Sequence, residues 1–262
     1  MSLGTRLAGA RVVDLSHEYR VGMPHWATHA PFAYSMTKLH GEQVTGEGVS
    51  SASDLVAMGT HNGTHIDALC HFSVEGRLCG GVEVAGRQSY GGGVEALGAE
   101  TIEPILGRGV LLDFAGDAAL GAEEEIGVAD LERAEAGAGV RIQEGDVVLL
   151  RTGWARFWGE PARYVNGGRH PGIGLAGARW LSARGIRAAG SDTVAFERVP
   201  AAGMPVHVHF LVETGVFILE NLDLEALSRS GARAFGFVAA PLKIHGATGA
   251  PVRAIAVLEV EE

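Results

Sequence analysis

Cysteine is nearly absent. Only Cys70 and Cys79 occur among 262 residues, too few for a disulfide framework, so the expected compartment is a reducing cytoplasm. Basic residues are also in deficit, 21 against 31 acidic ones, for a net charge of −10. That balance argues against nucleic acid or an anionic membrane as a partner. No apolar run approaches the roughly 18–20 residues of a membrane span, and the N-terminus carries no signal-peptide pattern. The chain contains no strand-GxGxxG-helix context and no GK[ST] loop, which excludes a nucleotide fingerprint. It also has no GxSxG elbow, so no serine nucleophile is signalled. A small-molecule substrate is the expectation left standing.

Glycine, by contrast, is abundant at 39 residues, and hydrophobic residues make up 47%. These values describe a loop-rich globular chain with a substantial core. Without a repeat or composition break, it reads as a single domain over residues 1–262. The densest chemistry lies in Gly59–Phe72, where His61, His65, Asp67 and His71 all occupy odd positions. Imidazole and carboxylate together suit a divalent transition metal such as zinc or manganese. An extended backbone aims odd positions toward one face. A regular helix would instead swing Asp67 about 200° from His61. The segment is therefore expected to be strand-like and irregular, with Gly59 and Gly63 supplying backbone freedom to curl around an ion.

His61-Asn-Gly-Thr-His65-Ile-Asp67-Ala-Leu-Cys-His71 resembles the HxGTHxDxxxH signature of the cyclase family of metal-dependent hydrolases, which includes bacterial kynurenine formamidase and isatin hydrolase. Further stretches are similar along most of the chain. Gly22-Met-Pro-His-Trp26 resembles the family's early Pro-x-Trp element, whose tryptophan contacts substrate, and the resemblance implies that role for Trp26. Pro205-Val-His207 and Glu220-Asn221 resemble the element that supplies a later histidine and a glutamate to the metal. His209 competes with His207 for this place, and the preceding Pro-Val favours His207. The resemblance implies the family's swivelling β/β/α fold, with a mixed sheet and few short helices, assembled as a homodimer or homotetramer.

The residues then suggest a reaction. Two histidines and a carboxylate leave coordination positions open, as catalytic rather than structural sites do. Asp67 can bridge two ions, the second completed by His207 and Glu220, so one or two divalent ions per chain are expected. Water on such an ion has its pKa lowered toward about 7 and can attack an amide carbonyl. His71 is the candidate general acid/base, with third ligand as its other role. The expected activity is hydrolysis of a C–N amide bond in an aryl formamide or lactam. The Asp-Ala-Leu at 67–69 and the long 73–108 region favour the lactam-opening branch. A cyclase or dehydratase without net hydrolysis is the alternative; hydrolysis alone adds the mass of one water to a cyclic amide. A non-catalytic metal-binding or scaffold protein is the third reading, for which coordination would be closed.

Elsewhere the pattern predicts strands at 109–114, 145–151, 186–190, 232–238 and 253–260, and helices at 128–138, 175–184 and 223–229. A turn-rich loop is expected across 241–252 and a long irregular one across 73–93. His25, His29 and His245 are expected to face solvent. Trp154, Phe157 and Trp158 are assigned to core packing, and Cys70 to a small buried place. Asp192 is left between capping a turn and orienting a histidine.

Overall fold

The computed structural model describes residues 9–258. Ten strands carry the architecture: β1 (Arg11–Asp14), β2 (Ala33–Lys38), β3 (Ser53–Ala57), β4 (His65–Asp67), β5 (Ile105–Asp113), β6 (Val147–Arg151), β7 (Ala188–Ser191), β8 (Phe217–Glu220), β9 (Ala234–Pro241) and β10 (Gly249–Leu258). The main sheet runs β1-β10-β9-β5-β6-β7-β8-β4, and β4 pairs in addition with β10. Seven strands thus close on themselves as a barrel, with β1 added outside. β5, β6, β7 and β8 are mutually parallel, whereas the pairs around β4, β9 and β10 are antiparallel. This is the expected mixed α/β class.

The parallel strands read as unbroken apolar runs because both their faces are covered. Val147, Val148, Leu149 and Leu150 are all buried. Alternate residues feed two cores. Leu111, Leu149 and Leu219 join Phe237, Ile66 and Ala254, covered by Leu78, Val84 and Ile102 from the long loop. Val110, Leu112, Val148 and Leu150 pack instead under Leu131 of α1 (Val128–Ala138) and Ala178 and Leu181 of α2 (Leu175–Ser182). α1 matches its predicted span. Asp130 accepts a hydrogen bond from the Gly127 N–H at its start (2.8 Å), and Gly139 caps its end in the left-handed region.

One prediction fails here. The 241–252 stretch is not wholly a loop: β9 runs to Pro241 and β10 begins at Gly249. Gly249, Ala250 and Pro251 pair with Asp67, Ile66 and His65 and close the barrel. Glycine and proline read locally as turn formers, but this edge needs a missing side chain. A Cβ at Gly249 would lie 2.6 Å from His61 Cε1.

Outside the barrel, β2 and β3 form a separate two-stranded arm whose residues are nearly all exposed. Tyr34, Leu55 and Val56 expose about half of their surface there (47%, 58% and 51%). Trp154 and Trp158 are buried, as assigned, in a third small cluster with Met23 and Tyr164.

Candidate metal centre

β4 delivers His65 and Asp67 into the seam between β8 and β10, opposite Glu220 and Ile218 on one side. Gly63 supports this entry in the left-handed region (φ 60°), where a Cβ would run into the Tyr19 ring. Gly59 does not use its backbone freedom as expected. Its value is space, since a Cβ would sit 3.1 Å from the Ala30 carbonyl of the loop folded over it. His207 comes from the turn Pro205–His207, which runs into a π-helical stretch, Val208–Thr214.

These elements bring all five predicted ligands together. His61, His65 and Asp67 form one group, and Asp67, His207 and Glu220 a second, with ligand atoms in each within 4.8 Å of one another. Asp67 belongs to both. His61 Nδ1 lies 2.7 Å from Asp67 Oδ1, His65 Nε2 lies 3.4 Å from both Asp67 and Glu220, and His207 Nε2 lies 3.1 Å from Glu220 Oε1. The rings are held from behind. His65 Nδ1 donates to the Gly63 carbonyl (2.8 Å), and His207 Nδ1 donates to Glu197 Oε1 (2.6 Å). Each bond fixes the tautomer that turns Nε2 toward the centre. Thr248 Oγ1 holds His61 Nε2 at 2.9 Å, leaving Nδ1 for ligation.

The donor set fits a divalent ion. His65 Nε2 and Asp67 Oδ2 are buried without a hydrogen-bond partner among the described residues, an arrangement proteins rarely leave unexplained. Charge balance agrees. Burial opposes protonation of His65 and His207, but the facing carboxylates, Asp67 and Glu220 for His65 and Glu197, Glu220 and Asp67 for His207, outweigh it and raise both to about 10. Burial likewise opposes ionisation of the acids, yet the histidines hold Asp67 well below the carboxylate range and Glu220 at about 2. Two imidazolium protons balance these carboxylates, and a divalent ion carries the same charge.

His209 stands apart: its Nε2 meets Ser182 Oγ (2.8 Å) and its Nδ1 meets Glu213 (2.7 Å), so His207 alone of the two joins the cluster. His71 stacks on His61 (centroids 3.9 Å, 26° between planes) outside both ligand groups. Trp26 lies edge-on to His170, with centroids 6.4 Å apart. His245 is exposed, as expected. Cys70 is buried, its thiol pushed up to about 11 by burial and directed to the Ala247 carbonyl.

Two residues depart from expectation, and a third is decided. His29 is not a solvent-facing histidine: its ring is 5.4 Å from His61 and its Nδ1 is buried. His25 is half-buried too, against the Trp26 carbonyl. Both follow from the 20–32 loop folding back onto the motif, where Ala30 O accepts from Gly59 N–H and the Asn62 side chain. Asp192 orients no histidine; its carboxylate accepts from Thr152 N–H, Thr152 Oγ1 and Gly153 N–H and pins the turn after β6.

The histidine-orienting acid is Glu197, which the sequence did not disclose. It is 1% exposed and also accepts from the His207 N–H at 2.9 Å. Its only cue was a charge inside the run Val194-Ala-Phe-Glu-Arg-Val. Glu197→Gln is expected to weaken metal binding by about 10–100-fold, measured by competition with a chromogenic chelator. Unchanged affinity would refute that positioning role.

His170 gives a pH dependence. It is fully buried, and burial lowers its pKa to about 4. The unfolded chain binds a proton below about 6.5 that the folded chain refuses, so stability falls with pH across 6.5 to 4 and levels off below. At pH 5 this one group should cost about 2 kcal/mol relative to pH 7. Urea melts at both pH values should show a smaller pH 7-to-5 loss in His170→Gln than in wild type.

Comparison with known proteins supports the same family. Residues 13–198 match the family model described as putative cyclase. The chain is 26% identical to isatin hydrolase of Roseibium aggregatum, over 98% of this chain and 95% of that protein. It is also 26% identical to kynurenine formamidase of Bacillus thuringiensis, over 93% of this chain and 95% of that one. A crystal structure described as a novel cyclase superposes with a TM-score of 0.88 at 29% identity, covering 97% of this chain and 88% of the other.

Proposed function

The chain belongs to the putative cyclase family, and from that premise we propose that it is a metal-dependent hydrolase opening the C–N bond of a small aryl formamide or lactam. One observation carries the reading: a cluster of three histidines and two carboxylates joined at Asp67, with His65 Nε2 and Asp67 Oδ2 left without hydrogen-bond partners among the described residues. His61, His65 and Asp67 would hold one zinc or manganese ion, and Asp67, His207 and Glu220 a second. A bound ion supplies water of lowered pKa and a positive charge for the developing oxyanion. The protein supplies the rest. Glu197 keeps His207 in one tautomer, His71 stands beside the centre to accept and return a proton, and Trp26 offers an aromatic wall for the substrate. Hydrolysis breaks the C–N bond, leaves the hydroxyl on carbon and delivers the proton to nitrogen. The test is elemental analysis of the purified chain, followed by mass spectrometry of formanilide and isatin after incubation. Products heavier by one water in the isatin reaction, dependent on bound metal, are expected; bound metal without turnover of either compound would refute the reading.

A second copy of the chain is part of the proposal. The arm of β2 and β3 exposes Tyr34 and Val56, paired across the two strands on one face, and Leu55 on the other face, apolar surface that a second copy would cover. Light scattering should give at least twice the 27.3 kDa chain mass. Leu55→Asp with Val56→Asp should shift it to that of one chain, and a monomeric wild type would reject the assembly.

A further inference from the structure

His170 is an unexplained polar group close to the proposed centre. It is 0% exposed, and its Nε2 has no hydrogen-bond partner among the described residues. Its neighbours place it. His170 bridges to Val199 across an antiparallel pair, two residues from the Glu197 that holds His207, and on the same segment as Phe196, whose N–H holds Glu220. Its ring meets Trp26 edge-on, so it stands between the aromatic wall and the residues that position the ligands.

The ring's chemistry is fixed by its other nitrogen. Nδ1 lies 3.3 Å from the Pro171 carbonyl, and a carbonyl only accepts, so Nδ1 carries the proton. Nε2 is then a bare lone pair. Burial keeps the ring neutral at neutral pH, and Glu220, His207 and Glu197 are all near enough to act on its charge. A buried acceptor without a donor is costly. What it lacks is an N–H or O–H group, on a ring that packs edge-on against Trp26.

We infer that His170 Nε2 accepts a hydrogen bond from the N–H of the substrate amide, which makes His170 the residue that selects secondary amides and lactams over N-alkylated ones. The inference rests on the amide-hydrolase reading and sharpens it, because both proposed substrate types carry an N–H on the bond to be broken. Anchoring that N–H also fixes the rotation of the amide plane against the Trp26 ring. A tertiary amide would leave the lone pair unpaired and place an alkyl group against it.

The test is calorimetric titration of the zinc-loaded chain with oxindole and N-methyloxindole, for wild type, His170→Phe and His170→Gln. Thermal melts first establish that each variant is folded. Wild type is expected to bind oxindole about 10-fold more tightly than N-methyloxindole, and His170→Phe to lose that factor through weaker oxindole binding. His170→Gln, whose amide oxygen accepts, should retain most of the preference and serves if the Phe variant does not fold. Three results overturn the inference: no preference in wild type, an unchanged preference in His170→Phe, or a preference lost only because N-methyloxindole binds better, which is a steric effect. Binding is read apart from turnover. Preference without hydrolysis of formanilide or isatin would sink the hydrolase reading and leave His170's role standing, whereas hydrolysis without preference would do the reverse.

Discussion

Asp67→Ala protein is expected to purify without bound metal and to hydrolyse formanilide or isatin on the order of 10³-fold or more slowly, a loss of at least about 4 kcal/mol of transition-state stabilisation. Asp67 is the one residue shared by both ligand groups. Its Oδ1 serves His61 and His65, and its Oδ2 faces His207 at 3.8 Å. Removing it therefore strips an anionic ligand from either ion at once. The change also unbalances the metal-free protein, because Asp67 is among the groups that keep His65 and His207 protonated in the interior. Elemental analysis per chain decides the matter alongside the rate. Asp67→Ala retaining its metal would refute the ligand assignment. His207→Ala separates one ion from two: loss of about half the metal indicates two separable ions, and complete loss indicates one ion to which His207 is essential.

How far this centre could be read in advance depends on how its residues lie along the chain. His61, His65 and Asp67 stand within seven consecutive positions, and odd spacing with Gly and Thr between them shows in any extended reading. Glu220 reaches His65 only because β8 pairs with β4 in one register, a fact of tertiary structure that composition cannot carry; the family resemblance supplied it. Helix α1 was legible because amphipathic spacing, Asp130 and Gly139 all act locally. Gly249–Pro251 was misread for the converse reason. Its turn-forming residues are overridden by barrel closure and by the space His61 needs. Glu197 was invisible, since a single acid in an apolar run looks the same whether it reaches solvent or turns inward to a histidine 10 residues later.

His71→Ala should keep its metal yet lower kcat for formanilide by about 10²–10⁴-fold. The geometry separates His71 from the ligands: it stacks on His61 and meets Phe72 edge-on, but joins neither group of converging atoms. Burial pushes its pKa down to about 3, against the opposing pull of Asp67, so the resting ring is neutral and has a lone pair to take a proton from water. Having taken it, the ring is an imidazolium in an unfavourable place and returns the proton readily to a basic nitrogen. Amide nitrogen is a poor leaving group until protonated; phenolate is not. Phenyl formate, with the same acyl group as formanilide, should therefore lose at least about 10-fold less activity in His71→Ala. Equal losses on amide and ester would show that His71 acts before bond cleavage or merely supports His61. Loss of metal from the variant would instead make it a third histidine ligand.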